Sequence, residues 1–261
     1  MSLTINLNDR SIYENPEKAT IIGYNDYNRI RDDPRIKSFL ASIKEQANGH
    51  HLKATFTGSY NAFRSPKTDL DNFLLYNMRL STSGFQSITL EKIIIPNATD
   101  IKYEYFINNE QEELVGEYSI VAEINGIEYR GTNVTVFFYN KFREWLCERN
   151  GSIQSFNASP IELIIEYNGP HTLSESSFLK HAVDGIVSAM QRCNLNSEEL
   201  NPRNVYPIDT DLSILNGDNV ISIRNERVNW HPQDHLVYKL VVIKNPGLEC
   251  YLRIRIRAFN N

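Results

Sequence analysis

The sequence predicts an α/β (α+β) fold with two similar halves, each a small mixed sheet flanked by helices. Two observations lead to this prediction. Stretches typical of strands alternate along the 261 residues with stretches whose apolar residues recur at helical spacing. The same order of predicted elements also occurs twice, which predicts a first half at residues 1–113 and a second half at 114–261.

The first half has a helix predicted over about 33–47, where apolar residues recur every three or four positions. Asn48-Gly49 ends this helix. Alternating apolar and polar residues predict a strand over 51–60, and a turn-rich segment follows it. The next run, DLDNFLLYNMRL, fits either a helix or a strand. Two more strands are predicted at 88–95 and 101–107.

The second half repeats this order. Its predicted elements are a strand at 118–124, a helix at about 139–149, a strand at 160–167, a helix at 177–192 and strands at 236–244 and 250–259. Asn245-Pro246-Gly247 is a typical turn sequence and predicts that the last two strands form a hairpin. Residues 56–78 align with 165–187 without a gap but at low identity. The alternative to a duplication is therefore a chance likeness between α/β segments.

Composition excludes several classes of protein. Hydrophobic residues make up 41% of the chain and charged residues 23%, and no stretch has the roughly 18 apolar residues of a membrane span. The first residues lack the pattern of a signal peptide, which predicts a cytoplasmic protein without membrane partners. Three scattered cysteines predict neither a disulfide framework nor a cysteine zinc site. The net charge of −5 argues against a protein that binds the phosphate backbone of nucleic acid through an extended basic surface. It is compatible with a local basic patch.

The strongest candidate for chemistry is the segment Lys67-Thr68-Asp69-Leu70-Asp71-Asn72. Two aspartates at positions i and i+2, after a strand and a loop, can direct their carboxylates to one Mg²⁺ ion, as in phosphoryl-transfer enzymes. The alternative is structural, because Asp and Asn are also favoured in polar turns and at helix N-termini.

This segment resembles the opening of the RusA-type Holliday junction resolvase motif, in which Asp-x-Asp-Asn begins a helix after a strand. The resemblance implies a RusA-like first half in which Asp69 and Asp71 bind the metal. It also implies that Glu91 is the later catalytic carboxylate and that Lys67 lies nearby. The sequence departs from the family along the helix, where other residues replace the family's lysine and aspartate.

The second half resembles the same family with complementary losses. Lys180 and Asp184 match the family's helix, and Asp234 and Lys244 match the segment that runs into the closing strands. Ser174-Glu175-Ser176-Ser177 stands where the acidic opening is expected. The resemblance therefore implies a remnant site in this half. It also implies that two fused subunits form a pseudo-dimer within one chain, present as a monomer or a homodimer.

The chemistry implied by the family is Mg²⁺-dependent cleavage of branched or duplex DNA by an endodeoxyribonuclease. In this chemistry carboxylates hold the metal, the metal polarises the phosphate and activates water, and a lysine offsets the developing charge. Each half departs from the family's site. The alternative to an active endonuclease is a catalytically degenerate protein that keeps the fold for binding.

A second resemblance is to the nucleotidyltransferases, in which Gly-Ser holds nucleotide phosphates and Asp-x-Asp binds the metal. Gly58-Ser59 and Asp69/Asp71 fit that spacing. This interpretation requires Asp69-Leu70-Asp71 to lie on a strand and Gly58-Ser59 to begin a helix, whereas the resolvase resemblance requires Asp71-Asn72 to begin a helix. The third alternative is a non-catalytic interaction protein, whose acidic residues form no joint site.

The last predicted strand carries Arg253, Arg255 and Arg257 in alternation with apolar residues, which places three guanidinium groups on one face of the sheet. The fork geometry of arginine suits phosphate, so these residues are the predicted nucleic-acid contacts. The alternative is a solvated sheet face whose arginines pair with carboxylates.

Overall fold

A computed structural model describes residues 2–5, 12–15, 19–21, 49–59, 84–97, 102–126, 134–149, 159–168, 176–191, 221–224, 227–230, 234–245 and 249–259. It also describes single positions at 34, 38, 41, 42, 45 and 70. All elements below belong to this part of the chain. No helix within it is long and apolar enough to span a membrane.

The described elements mix strands and helices, which confirms the predicted α/β class. In chain order they are β1 (Ser2–Ile5), β2 (Ile12–Asn15), β3 (Ala19–Ile21), β4 (His51–Gly58), β5 (Ser87–Ile94), β6 (Lys102–Asn108), β7 (Ile120–Asn125), the helix α1 (Val134–Glu148), β8 (Ile161–Asn168), the helix α2 (Ser176–Gln191), β9 (Ile221–Arg224), β10 (Arg227–Trp230), β11 (Val237–Asn245) and β12 (Tyr251–Ala258). A 3-10 turn at Asp234–Leu236 leads into β11. The single positions from 34 to 45 are helical, in agreement with the helix predicted over about 33–47.

Ten of the strands form one mixed sheet in the order β2-β1-β3-β6-β4-β5-β11-β8-β12-β7, and β9 pairs separately with β10. The pairs β4–β5 and β8–β11 are parallel. The pairs β4–β6 and β8–β12 are antiparallel. The first half therefore meets the second through the antiparallel pair β5–β11, in which Leu90 lies opposite Leu240.

The strand arrangement on one side of the β5–β11 pair repeats on the other side. In each half a central strand, β4 or β8, has a parallel neighbour toward the middle of the sheet and an antiparallel neighbour on the outside. The strands β3 and β7 then pair antiparallel with the two outer neighbours, β6 and β12. Because β5 and β11 are antiparallel, an approximate two-fold rotation normal to the sheet relates the two sets of strands.

The last two strands do not form the hairpin that Asn245-Pro246-Gly247 predicts. Instead β11 and β12 lie on either side of β8, just as β5 and β6 lie on either side of β4. All eight residues of β8 are buried. A strand so deeply buried needs hydrogen-bond partners on both edges, and this requirement overrides the local preference for a hairpin.

The helices cover one face of the sheet. On this face the side chains of β8 and β12, such as Leu163, Ile165 and Ile254, are completely buried. The helices α1 and α2 pack against each other, and α1 also contacts β7. The helix α1 begins at Val134 rather than at the predicted 139. Its first residues Thr135 and Val136 are buried, so tertiary packing extends the helix beyond its local pattern.

Residues 109–119, which we call the connector, join the two halves across the other face of the sheet. Leu114 and Tyr118 of the connector pack on a buried apolar cluster of Ile164, Val241 and Ile243. Gly116 has a φ of 110°, which L side chains rarely adopt, and a Cβ there would collide with the guanidinium of Arg257. The connector therefore lies close against the sheet face that carries the charged residues.

Candidate functional site

The acidic motif of the first half is described at one position. Leu70, between the two aspartates, is helical and only 1% exposed. A helix at this position is what the resolvase resemblance requires, and it differs from the strand that the nucleotidyltransferase resemblance requires. Lys67, Asp69 and Asp71 themselves lie outside the described residues.

The Gly58-Ser59 pair also differs from the nucleotidyltransferase expectation. Gly58 is the last residue of β4, and Ser59 belongs to neither a helix nor a strand. The Gly58 carbonyl accepts a hydrogen bond from the Ile95 N–H at 2.9 Å. This bond continues the β4–β5 pairing by one residue. Gly58 therefore takes part in strand pairing at the end of β4.

Glu91, the predicted later carboxylate, lies on the connector face of β5. Its Oε2 is 3.3 Å from Lys53 Nζ, and in the sheet register it stands opposite Lys239. Glu91 is therefore an ion-pair partner of Lys53 on this face. Its part in a site with Asp69 and Asp71 stays a prediction, because those two aspartates lie outside the described residues.

The second half brings together three of its four predicted residues on two touching elements. Lys180 and Asp184 lie one turn apart on α2, with Nζ 3.4 Å from Oδ1. Asp184 is 7% exposed and Asp234 is 6% exposed. Asp234 begins the 3-10 turn that α2 contacts. Two buried carboxylates therefore belong to neighbouring elements.

Lys244 is placed apart from this group, at the far end of β11. At about 3.3 Å per residue, the strand from Val237 to Lys244 spans roughly 23 Å. Because Asp234 precedes the start of that strand, Lys244 cannot complete a site with it. Burial lowers the pKa of the Lys244 ammonium below its ordinary value.

The three arginines predicted to contact nucleic acid lie on the connector face of β12, where carboxylates pair with all of them. The ion pairs are Arg253–Glu123 (2.7 Å), Arg253–Glu166 (3.1 Å), Arg255–Glu166 (3.5 Å) and Arg257–Glu162. The register of β12 between β7 and β8 sets Arg253 opposite both Glu123 and Glu166. The alternation in sequence located the arginines correctly on one face, but their pairing reduces the positive charge that is free for a phosphate.

The ion pairs continue to the centre of the sheet through Glu112 of the connector. Its two oxygens lie 2.8 Å from Lys239 Nζ and 3.3 Å from Lys53 Nζ. Burial alone would raise the pKa of the Glu112 carboxyl, but the hydrogen bonds and charges of the two lysines hold that pKa below its ordinary 4.5. Burial alone would lower the pKa of Lys239, but Glu112 and Glu162 hold it above its ordinary value.

Sequence reasoning missed Glu112, Lys239 and Glu162, because no motif marks them. The available signal was weak: Lys239 and Glu162 each interrupt an otherwise apolar strand. Their pairing depends on strand register, which the sequence does not state. Glu162 lies opposite Arg257 in one neighbouring strand and opposite Lys239 in the other.

No group of three or more His, Cys, Asp or Glu side chains in the described ranges is arranged to hold a metal ion. Comparisons of the chain with protein-family models, with curated proteins and with solved structures give no match. The argument for a function therefore rests on the sequence motifs and on the geometry of the fold.

Proposed function

We propose that this protein is a Mg²⁺-dependent nucleic-acid-processing protein that resembles a branched-DNA endonuclease of the RusA type. Its metal site is formed by Asp69 and Asp71 in the first half. The observation that carries the proposal is that Leu70 is helical and buried and follows the buried strand β4 along the chain. This is the strand-then-helix context that the Asp-x-Asp-Asn resemblance requires.

The repeated strand arrangement supports the second part of the proposal, an internal duplication. Two copies of one unit, joined through β5 and β11, would form a pseudo-dimer whose helices share one face of the sheet. In such a pseudo-dimer the connector joins covalently two units that would otherwise be separate subunits. The halves have since diverged, because only the first half keeps the acidic opening.

The residues of the first half divide the chemistry among them. Asp69 and Asp71 would hold Mg²⁺, which can polarise a phosphodiester and activate a water molecule for hydrolysis. Lys67 is the nearby cation in sequence that can offset developing negative charge. Glu91 would be the later catalytic carboxylate, with Lys53 as its ion-pair partner.

A non-catalytic interaction protein is the second candidate, and one observation favours it. The arginine stripe of β12 is paired with carboxylates along its whole length, so the best basic patch of the sequence offers little free charge to DNA. In that case the duplicated fold serves as a scaffold for a partner of another kind.

Calorimetry of Mg²⁺ and Mn²⁺ binding tests the proposal. We expect the native chain to bind the metal and the variant Asp69→Asn/Asp71→Asn to lose binding, because the two carboxylates are the proposed ligands. The matched control is Glu117→Gln/Glu123→Gln, which removes two negative charges from exposed residues outside the proposed site. This control should bind the metal as the native chain does.

Cleavage of a four-way DNA junction in Mg²⁺ then separates the candidates. Cleavage that is lost in the aspartate variant supports the endonuclease. Metal binding without cleavage supports a catalytically degenerate protein. If the native chain binds neither metal, the metal-dependent function is wrong and the interaction protein takes its place.

A further inference from the structure

A cleft of about 790 Å³ opens on the connector face, where β5 and β12 end and β8 and β11 begin. The inference drawn from this cleft does not depend on the proposed function. Its apolar lining residues include Ile93 and Phe259, and the centre of the Phe259 ring lies 5.9 Å from that of the Tyr238 ring. Its charged lining residues include Glu117 and Glu162.

Glu162 is the unusual residue of this cleft. Its side chain is 3% exposed, and one oxygen, Oε2, accepts a hydrogen bond from Arg257. The other oxygen, Oε1, accepts no hydrogen bond from any described residue and lies 3.7 Å from Lys239 Nζ. A buried carboxylate oxygen without a donor is costly, so a ligand that brings a donor to it is favoured.

The cations of the cleft are already engaged by the protein. Arg257 also donates to the Val115 carbonyl at 2.8 Å and lies over the Tyr118 ring. Lys239 donates to Glu112 at 2.8 Å. Lys92 also lines the cleft, but it is fully buried and donates to the His235 carbonyl.

The charged groups of the cleft that have no hydrogen-bond partner among the described residues are therefore acceptors, Glu162 Oε1 and the carboxylate of Glu117. Glu117 is exposed and has no hydrogen-bond or ion-pair partner within the described ranges. It adds a second carboxylate to the unfilled oxygen of Glu162. Apolar lining residues together with two such acceptors suit a ligand with an aliphatic stem and a cationic end.

We propose that this cleft binds an aliphatic ammonium ion, with the charged end toward Glu162 and Glu117 and the carbon chain against Ile93 and Phe259. Such an ion is found in a free diamine and in the side chain of a lysine on another protein. The chemistry that the cleft recognises is the same in both.

Calorimetric titration of the full chain with two probes tests the proposal and distinguishes the sources. The probes are 1,4-diaminobutane and Nα-acetyl-lysine amide, and the neutral control is 1,4-butanediol. Binding of the diamine but not of the lysine amide indicates a free polyamine. The reverse result indicates a lysine side chain. Absence of binding by both, or equal binding of the diol, overturns the proposal.

Three variants test the location of the site. Glu162→Gln and the charge reversal Glu117→Lys should each weaken binding at least ten-fold. The second variant changes an exposed residue and so remains informative if the first fails to fold. Glu123→Gln, an exposed glutamate outside the cleft on the same sheet face, should bind within two-fold of the native chain. Equal weakening by Glu123→Gln, or unchanged binding by Glu117→Lys, overturns the assignment.

Discussion

Gly185 sets how closely the two helices approach each other. It lies in the middle of α2, where glycine is unfavourable for a helix, and it faces the backbone of α1. An added Cβ would collide with the Thr135 carbonyl oxygen and would lie 3.0 Å from both Phe138 Cβ and Tyr139 N. Packing against α1 therefore requires a residue without a side chain at position 185, although helix propensity alone would favour another residue there.

The substitution Gly185→Ala should lower the free energy of unfolding by about 2 kcal/mol, because overpacking costs more than the gain in helix propensity. Urea unfolding followed by circular dichroism measures the change. The control on the same helix is Ser188→Ala, which removes a buried hydroxyl that has no partner among the described residues. That variant should be as stable as the native chain or more stable by up to about 1 kcal/mol. A Gly185→Ala variant as stable as the native chain would contradict the packing seen between α1 and α2.

At the scale of elements, the connector does more than link two halves of the chain. Glu112 pairs with Lys53 of β4 in the first half and with Lys239 of β11 in the second. Leu114 and Tyr118 cover apolar residues of β8 and β11. The connector therefore covers the middle of this sheet face, where it is held by both ion pairs and apolar contacts.

The variant Glu112→Gln should be less stable than the native chain by about 1 kcal/mol at pH 7 and low salt, since the pair is partly exposed. Because the folded-state pKa of Glu112 lies below 4.5, the contribution is complete above pH 4.5 and is lost as the pH falls through that lower pKa. Denaturant unfolding of both proteins across this pH range should show the difference shrinking in acid. The control is Glu117→Gln, an exposed glutamate of the same connector without an ion-pair partner among the described residues, and it should be as stable as the native chain at pH 7. A difference that persists in acid would contradict the assigned ion pairs.

At the scale of the whole molecule, the two halves share one hydrogen-bonded sheet. Residues 87–91 of β5 pair with residues 239–243 of β11, and both strands also pair with the central strand of their own half. Separating the halves would leave two long strand edges without partners. The halves are therefore expected to depend on each other for stability.

We expect a single cooperative unfolding transition with equal calorimetric and van't Hoff enthalpies. Hydrogen exchange measures the coupling directly. In Gly185→Ala, a change in the second half, amides of β4 in the first half should lose as much protection as amides of β8. Protection of β4 that stays at the native level would show that the halves unfold independently.

The sequence predicted most elements of the described fold because their patterns are local. The strand at 51–60, the helix at 177–192 and the alternation of Arg253, Arg255 and Arg257 all depend on neighbours within a few positions. The start of α1 was predicted too late, because burial of Thr135 and Val136 comes from residues distant in sequence. Of the candidate site, the structure describes the helical state at Leu70, which agrees with the motif. The pairing of Glu91 with Lys53 depends on strand register, which motif spacing does not encode.

The sequence alone was enough for the α/β class, and it predicted the repeated order of elements and the Asp69-Asp71 motif. It did so because hydrophobic period and motif spacing are properties of short segments. The tertiary structure alone decided that β8 lies between β11 and β12, that Glu112 joins Lys53 to Lys239, and that carboxylates neutralise the arginines. These features depend on strand order and register, which are set by burial and hydrogen bonding between segments far apart in the chain.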